Sequence, residues 1–207
     1  MPELAIDLTR YADEDALVKA LLAGDKHACA CLVKINSSQM YALALRMMGD
    51  AAEAEDVVQE AFISACSKAA SFERRSKLST WLYRITTNAA LMRLRKRRDD
   101  TVSLDEPQVS EEGDSFPRQL GDWSVDPSRE ALSAELRAVL EGAIETLPPT
   151  LRSAFVLRDI QGLSTLEAAD ALEITESALK VRLHRARLLL REKLAGYLTD
   201  HPTERMA

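Results

Sequence analysis

Hydrophobic residues along this chain recur at steps of three and four, the spacing that lines one side of a helix. Ala16, Leu17, Ala20 and Leu21 predict a short first helix, and Gly24-Asp25 interrupts it. A second helix is expected from about Lys26 to Met48, closed by Gly49-Asp50. A third runs from about Ala52 to Ala70, with Ala54, Val57, Val58, Ala61, Phe62 and Ala65 on its apolar side. Ser71 to Ser79 is polar and charged and reads as a loop. Thr80 to Arg98 is helical again, with Trp81, Ile85, Ala89 and Met92 on one face.

The pattern then stops. Between Asp99 and Ser128 there are nine acids and one base, and Pro107, Gly113, Pro117, Gly121 and Pro127 break any regular element. Periodicity resumes from Ser128 to Glu145, and Pro148-Pro149 marks the start of a further helix. Ser164-Thr165-Leu166-Glu167 has capping-box spacing, followed by the small apolar residues Ala168, Ala169 and Leu172. Thr175 is placed to cap a last helix, on which Leu179, Leu183, Ala186 and Leu190 point into a core. The fold class is therefore all-α: two small helical domains, an N-terminal bundle over residues 10–98 and a C-terminal domain over 129–196, joined by a flexible acidic linker over 99–128. A short helix, a turn and a longer basic helix make the C-terminal domain a helix-turn-helix.

Composition sharpens this reading. Aromatic residues are only 5% of the chain, which suits helices better than sheets. No apolar stretch approaches the length of a membrane span, and the N-terminus has no secretory pattern, so a cytoplasmic protein is expected. The tail from Tyr197 to Ala207 shows no pattern of a further sensory domain. Three cysteines, Cys29, Cys31 and Cys66, do not make a closed disulfide set and read as small thiols on helices. Cys29-x-Cys31 beside His27 also has the outline of a metal or redox site, the less favoured alternative. No nucleophile–base set, metal cluster or phosphate loop appears, so neither enzymatic activity nor a cofactor is expected.

The net charge of −6 conceals segregation that matters more than its value. Arg84, Arg93, Arg95, Lys96, Arg97 and Arg98 form one basic stretch, and Lys180, Arg182, Arg185, Arg187, Arg191 and Lys193 form another. Two basic helices on an acidic chain suit two DNA contacts with weak overall attraction. On the last helix Ser177, Lys180, Val181 and His184 are candidates near base edges, while Arg182, Arg185 and Arg187 suit phosphates. In the N-terminal domain Arg74, Arg75 and Lys77 precede a helix whose polar side carries Arg84, Thr87, Asn88, Arg95 and Arg98, with Phe72, Trp81 and Tyr83 interleaved. Charge for phosphates and flat faces for unstacked bases are what melted DNA requires, although Trp81 and Phe72 also suit a core. Glu53, Asp56, Gln59 and Glu60 share one side of the third helix. That acidic stripe suits a protein partner presenting arginines, or simple solvation.

These residues bring in a resemblance. Asp56-Val57-Val58-Gln59-Glu60-Ala61-Phe62 and Ser79-Thr80-Trp81-Leu82-Tyr83-Arg84-Ile85-x-x-Asn88 resemble the second conserved region of bacterial sigma factors. Leu147-Pro148-x-x-x-Arg152-x-x-Phe155-x-Leu157-Arg158, Gly162-Leu163-Ser164-x-x-Glu167-Ala168-Ala169 and Arg182-Leu183-x-Arg185-Ala186-Arg187 resemble the fourth. A linker in place of the third region is similar to the extracytoplasmic-function group. The resemblance implies a factor that binds core RNA polymerase and directs it to promoters by their −35 and −10 elements. It implies docking of Glu53, Asp56, Gln59 and Glu60 on the clamp of the largest subunit. It implies −10 recognition and melting by Arg74, Arg75, Lys77, Trp81, Tyr83, Arg84, Asn88 and Arg95, and −35 reading by Ser177, Lys180, Val181, Arg182, His184 and Arg185, with the second domain on the flap of the second-largest subunit. It also implies an anti-sigma protein as a partner. The chain departs from the family in having Ser177-Ala178-Leu179 where Gly-Thr-Val is usual, and Val181 where a small polar residue is common.

Overall fold

In a computed structural model of the chain, the described residues are 10–74, 76–100 and 130–200, and every regular element among them is helical. The acidic linker assigned to 99–128 lies outside them, apart from Asp99 and Asp100, which close a helix; Arg75 and the side chain of Arg98 lie outside them too.

The N-terminal half holds α1 (Glu14–Leu22), α2 (Lys26–Met48), α3 (Ala51–Ser67) and α4 (Leu78–Asp100), with a 3-10 turn at Ala69–Ser71 between α3 and α4. Aspartates start the first three helices. Asp13 accepts from the amide of Ala16 at 2.7 Å, Asp25 from His27 at 2.8 Å and Asp50 from Glu53 at 2.9 Å. Each satisfies an otherwise orphaned N–H and places negative charge at the positive end of a helix. Gly49 ends α2 in the left-handed region, at φ 71°, where a side chain is strained. Leu32, Met40, Leu43 and Met47 of α2 are fully buried among Ala54, Val57 and Phe62 of α3 and Leu82 and Ala90 of α4.

Two expectations about α4 change. Met92, placed on the apolar face by the sequence pattern, is 65% exposed, while Thr87, placed on the polar face, is fully buried. Burial of Leu78, Trp81, Leu82, Tyr83, Thr86, Thr87, Ala89 and Ala90 keeps Trp81 and Ala89 of the traced stripe and extends it around the helix to Leu82, Thr86, Thr87 and Ala90. Thr86 meets this burial by donating to the sulfur of Met40 at 3.3 Å.

The C-terminal half holds α5 (Glu130–Glu145), α6 (Pro149–Phe155), a π turn over Val156–Ile160, α7 (Thr165–Ala171) and α8 (Glu176–Asp200). Pro149 occupies the first turn of α6, where its missing N–H has no partner to lose. The capping box at Ser164 and Glu167 is formed: the Glu167 amide donates to Ser164 Oγ at 3.2 Å and the Ser164 amide to the Glu167 carboxylate at 2.9 Å. Thr175 caps α8 by accepting from the amide of Ala178 at 3.2 Å. Leu179, Leu183, Ala186 and Leu190 are buried, which turns the basic side of α8 outward.

The halves pack together. α4 lies against α6 and α7, and α2 against α5 and α6, so one apolar cluster continues from Leu17 to Leu190. Among the described residues, polar contacts cross this junction at three places. Arg46 grips Glu141 through two nitrogens, at 2.8 and 3.0 Å. Thr80 reaches Glu167 at 3.5 Å. Arg152, itself buried, donates to the Met47 carbonyl at 2.6 Å and on its own side to the carbonyls of Leu147 and Glu145.

Candidate nucleic-acid interface

The basic faces start from helix caps and end in exposed side chains. On α8 the Thr175 cap and the buried leucine stripe together rotate Ser177 and Lys180 to the exposed side, with Val181, Arg182, His184 and Arg185 half-buried beside them. Ser177 Oγ shares a 2.9 Å hydrogen bond with Thr175 Oγ1, so the first polar group of the helix is tied to its own cap. Arg187 is fixed differently: Asp159, in the π turn, accepts from it at 2.7 and 2.9 Å. That pairing raises the Arg187 pKa above its ordinary value, chiefly through the hydrogen bonds from the guanidinium to Asp159. Arg187, read from sequence as a phosphate contact, is thus held by the fold itself.

The turn between α7 and α8 is tight. Glu173 adopts φ 56°, a conformation that L side chains rarely take. It lets Leu172 and Leu179 both reach the core, at 9% and 0% exposure, and so sets the angle between the two helices.

On α4, Arg84, Asn88 and Arg95 fall on one face, at steps of four and seven. Arg84 and Arg95 are exposed and Asn88 is half-buried. The loop before them is anchored to α1: Arg74 pairs with Asp15, and Glu14 accepts from the Leu78 amide at 3.4 Å. Arg74 also has a positive φ of 58°, and with Lys77 it is exposed. The two aromatic candidates are in the core. Trp81 is 7% exposed and packs on Phe72 at 5.1 Å between ring centroids, and Tyr83 is 8% exposed with its hydroxyl 3.4 Å from Gln39. Burial raises the Tyr83 pKa.

The acidic side of α3 divides. Asp56 accepts from Arg93 of α4 at 2.6 Å, and Glu53 lies 3.3 Å from Arg97 and 3.8 Å from Arg93. Gln59 and Glu60 are exposed, one turn further along. Part of the basic stretch of α4 therefore answers the acidic stripe, and among its described side chains Arg84, Arg95 and Lys96 are exposed bases without a place in that pairing.

Beside Gln59 the surface becomes apolar. A groove of about 740 Å³ between α2 and α3 is lined by Val33, Tyr41, Val58, Phe62 and Ile63, with Cys29 and Cys66 at its edge. These two cysteines are joined, their Cα atoms 5.8 Å apart. The expectation that the thiols stand separately is corrected: α2 and α3 run antiparallel, which brings positions 37 residues apart into register. Only the helix packing discloses the pair, since no local spacing encodes it. The sequence reading also missed the junction residues Arg46 and Glu141. Arg152 was visible there only as part of a motif. Among the described residues, no helix is long and apolar enough to cross a membrane and no cluster of His, Cys, Asp or Glu is set to hold a metal.

Two family models match the chain. Residues 32–99 match the family model for Sigma-70 region 2, and residues 137–190 match that for Sigma-70, region 4. The chain is 38% identical over 177 residues to the ECF RNA polymerase sigma factor SigW of Bacillus subtilis, covering 86% of this chain and 94% of the relative. It is 33% identical over 197 residues to the RNA polymerase sigma-H factor of Pseudomonas aeruginosa, covering 93% and 99%. Among solved structures, the sigma factor RpoE bound to the anti-sigma factor NepR from Bartonella quintana is similar at a TM-score of 0.56 and 27% identity, covering 79% of this chain and 94% of that one. CnrH in complex with the cytosolic domain of CnrY shares the fold, at a TM-score of 0.61 and 23% identity over 88% and 97%.

Proposed function

Because the chain belongs to the extracytoplasmic-function sigma factors of bacterial RNA polymerase, we propose that its two basic helices divide promoter recognition between them. The protein binds core polymerase, directs it to promoters and acts through binding energy, with no chemical step of its own. α8 reads the −35 element in the major groove. Ser177, Lys180, Val181 and His184 lie near base edges, and Arg182 and Arg185 near phosphates. Val181 offers a methyl surface that suits a thymine but donates no hydrogen bond. α4 with its preceding loop works on the −10 element, where Arg74, Arg75, Lys77, Arg84, Asn88 and Arg95 hold the strand. Trp81 and Tyr83 support that surface from beneath and stack on a base only if they leave the core.

The exposed residues Gln59 and Glu60, with Glu53 and Asp56 behind them, face the clamp of the largest polymerase subunit, and the C-terminal half sits on the flap of the second-largest. The cytoplasm is where such a factor works, and an anti-sigma protein is its natural regulator. The observation that carries this reading is the pair of outward basic faces on α4 and α8, supported by separate halves of one chain. An autonomous helix-turn-helix regulator needs only the second face, and a mimic that merely titrates an inhibitor needs neither.

In vitro transcription with core polymerase over fragmented genomic DNA tests it. New start sites sharing −35 and −10 elements are expected. No added starts, together with failure to co-purify with core polymerase, would overturn the assignment.

A further inference from the structure

Cys29 and Cys66 are half-buried at the edge of the α2–α3 groove, within bonding reach of each other. Cys31 is two residues from Cys29, about 200° around the helix, and is fully buried in the core. The three thiols are thus sorted by geometry: two meet at an accessible edge, and the third is enclosed. A bond between Cys29 and Cys66 also closes a long stretch of chain and cross-links α3, which carries Gln59, Phe62 and Ile63, to α2, which carries Val33 and Tyr41.

We infer that Cys29 and Cys66 form a reversible dithiol–disulfide couple, oxidised by a hydroperoxide, which cross-links α2 to α3 without disturbing the groove between them. The thiolate of one cysteine attacks the peroxide O–O bond. An S–O bond forms, and the released hydroxide takes up a proton to leave as water. The thiolate of the second attacks that sulfur, an S–S bond forms, and the expelled hydroxide likewise leaves as water. Two thiols and one hydrogen peroxide give one disulfide and two waters. The adjacent second thiol intercepts the sulfenic acid before further oxidation, and so keeps the change reversible by a dithiol reductant. In a reducing cytoplasm the pair rests as thiols, and peroxide converts it. The couple stands on the geometry of α2 and α3 alone; only the claim that the groove still meets polymerase when cross-linked rests on the function proposed above.

Treating the reduced full-length protein with a small excess of hydrogen peroxide, removing the peroxide with catalase, then alkylating in denaturant and mapping peptides by mass tests the chemistry. A Cys29–Cys66 linked peptide, an alkylated Cys31 and full reversal by dithiothreitol are expected. Disulfide-linked dimers, sulfinic acid at Cys29 or Cys66, or three alkylated thiols would overturn the couple. The cross-link is tested separately by urea unfolding: oxidation should raise the midpoint of the wild type and leave that of C29S/C66S unmoved. An unmoved or lowered wild-type midpoint contradicts it, and this arm does not depend on the variant folding. Co-purification with core polymerase should be equal for oxidised and reduced protein. Loss on oxidation would show that the cross-link deforms the groove.

Discussion

Arg152 buries its guanidinium among backbone carbonyls. Three backbone carbonyls surround it, from Met47, Glu145 and Leu147, while its Nε is buried without a hydrogen-bond partner. Burial lowers its pKa, and the nearby Glu145 offsets part of that. The charge remains because the three C=O dipoles replace water around it. Arg152→Met should lower unfolding free energy by about 3 kcal/mol, since it leaves buried carbonyls unsatisfied, and urea denaturation measures this. Arg152→Lys should rescue little, because an ammonium cannot span three acceptors lying in different directions. Glu173 presents the opposite case, a residue held in a conformation foreign to it. Glu173→Gly should be neutral or stabilising by up to about 1 kcal/mol, read from the same titration, because glycine takes positive φ without a Cβ clash. A marked loss there would mean that the side chain itself contributes to the turn.

At the level of elements, the caps and stripes were legible because they are local. Asp25, Gly49, Pro149, Ser164 and Thr175 each bound a helix within one or two residues of where the sequence placed it. The inward stripe of α8 was legible for the same reason: Leu179, Leu183, Ala186 and Leu190 follow one period without interruption. α4 was less so. Threonines and alanines dominate its centre, so small residues that pack closely there cannot be told from small residues facing solvent. What pairs across helices was not legible, because Arg93 with Asp56, Cys29 with Cys66 and Arg46 with Glu141 depend on three-dimensional register. Register also refines the tests of each face. Lys180 is exposed, so Lys180→Ala should weaken −35 duplex binding by the polymerase complex and reduce the salt slope by about 1 if it meets a phosphate, or relax base preference if it meets a base edge. On α3 Glu60→Lys is the cleaner charge reversal, because Asp56→Lys also places like charge beside Arg93. Glu60→Lys should cut co-purification of core polymerase severely with an unchanged helical CD spectrum. The capping box behaves by pH. Hydrogen bonds from Ser164 hold the Glu167 pKa below its ordinary value, so its contribution is present above the unfolded glutamate range and fades as pH falls through the folded value.

At the scale of the molecule, the two halves meet through α4, proposed above to work on the −10 element, and through α7, the helix before the proposed −35 reader α8. Thr80, at the start of α4, faces Glu167, the capping-box partner of Ser164 on α7, the helix before α8. If polymerase sets the two proposed DNA-reading faces a promoter's spacing apart, this junction has to open for promoter engagement. The junction is polar at its rim, where Arg46 and Glu141 are half-exposed and screened, and buried at Arg152. The rim can therefore be broken with little loss from either core. Glu141→Arg sets two cations against each other across the junction and should open the chain, increasing the radius of gyration in small-angle scattering while helical content stays constant. It should also lower the concentration of factor needed for half-maximal transcription with core polymerase, because opening no longer draws on docking energy. Arg46→Glu combined with Glu141→Arg restores the pair with its polarity reversed and should return both readings toward wild type. If the single variant scatters like wild type, Arg46 and Glu141 do not hold the halves together. If it opens without any gain in transcription, closure is a resting geometry with no hold on activity.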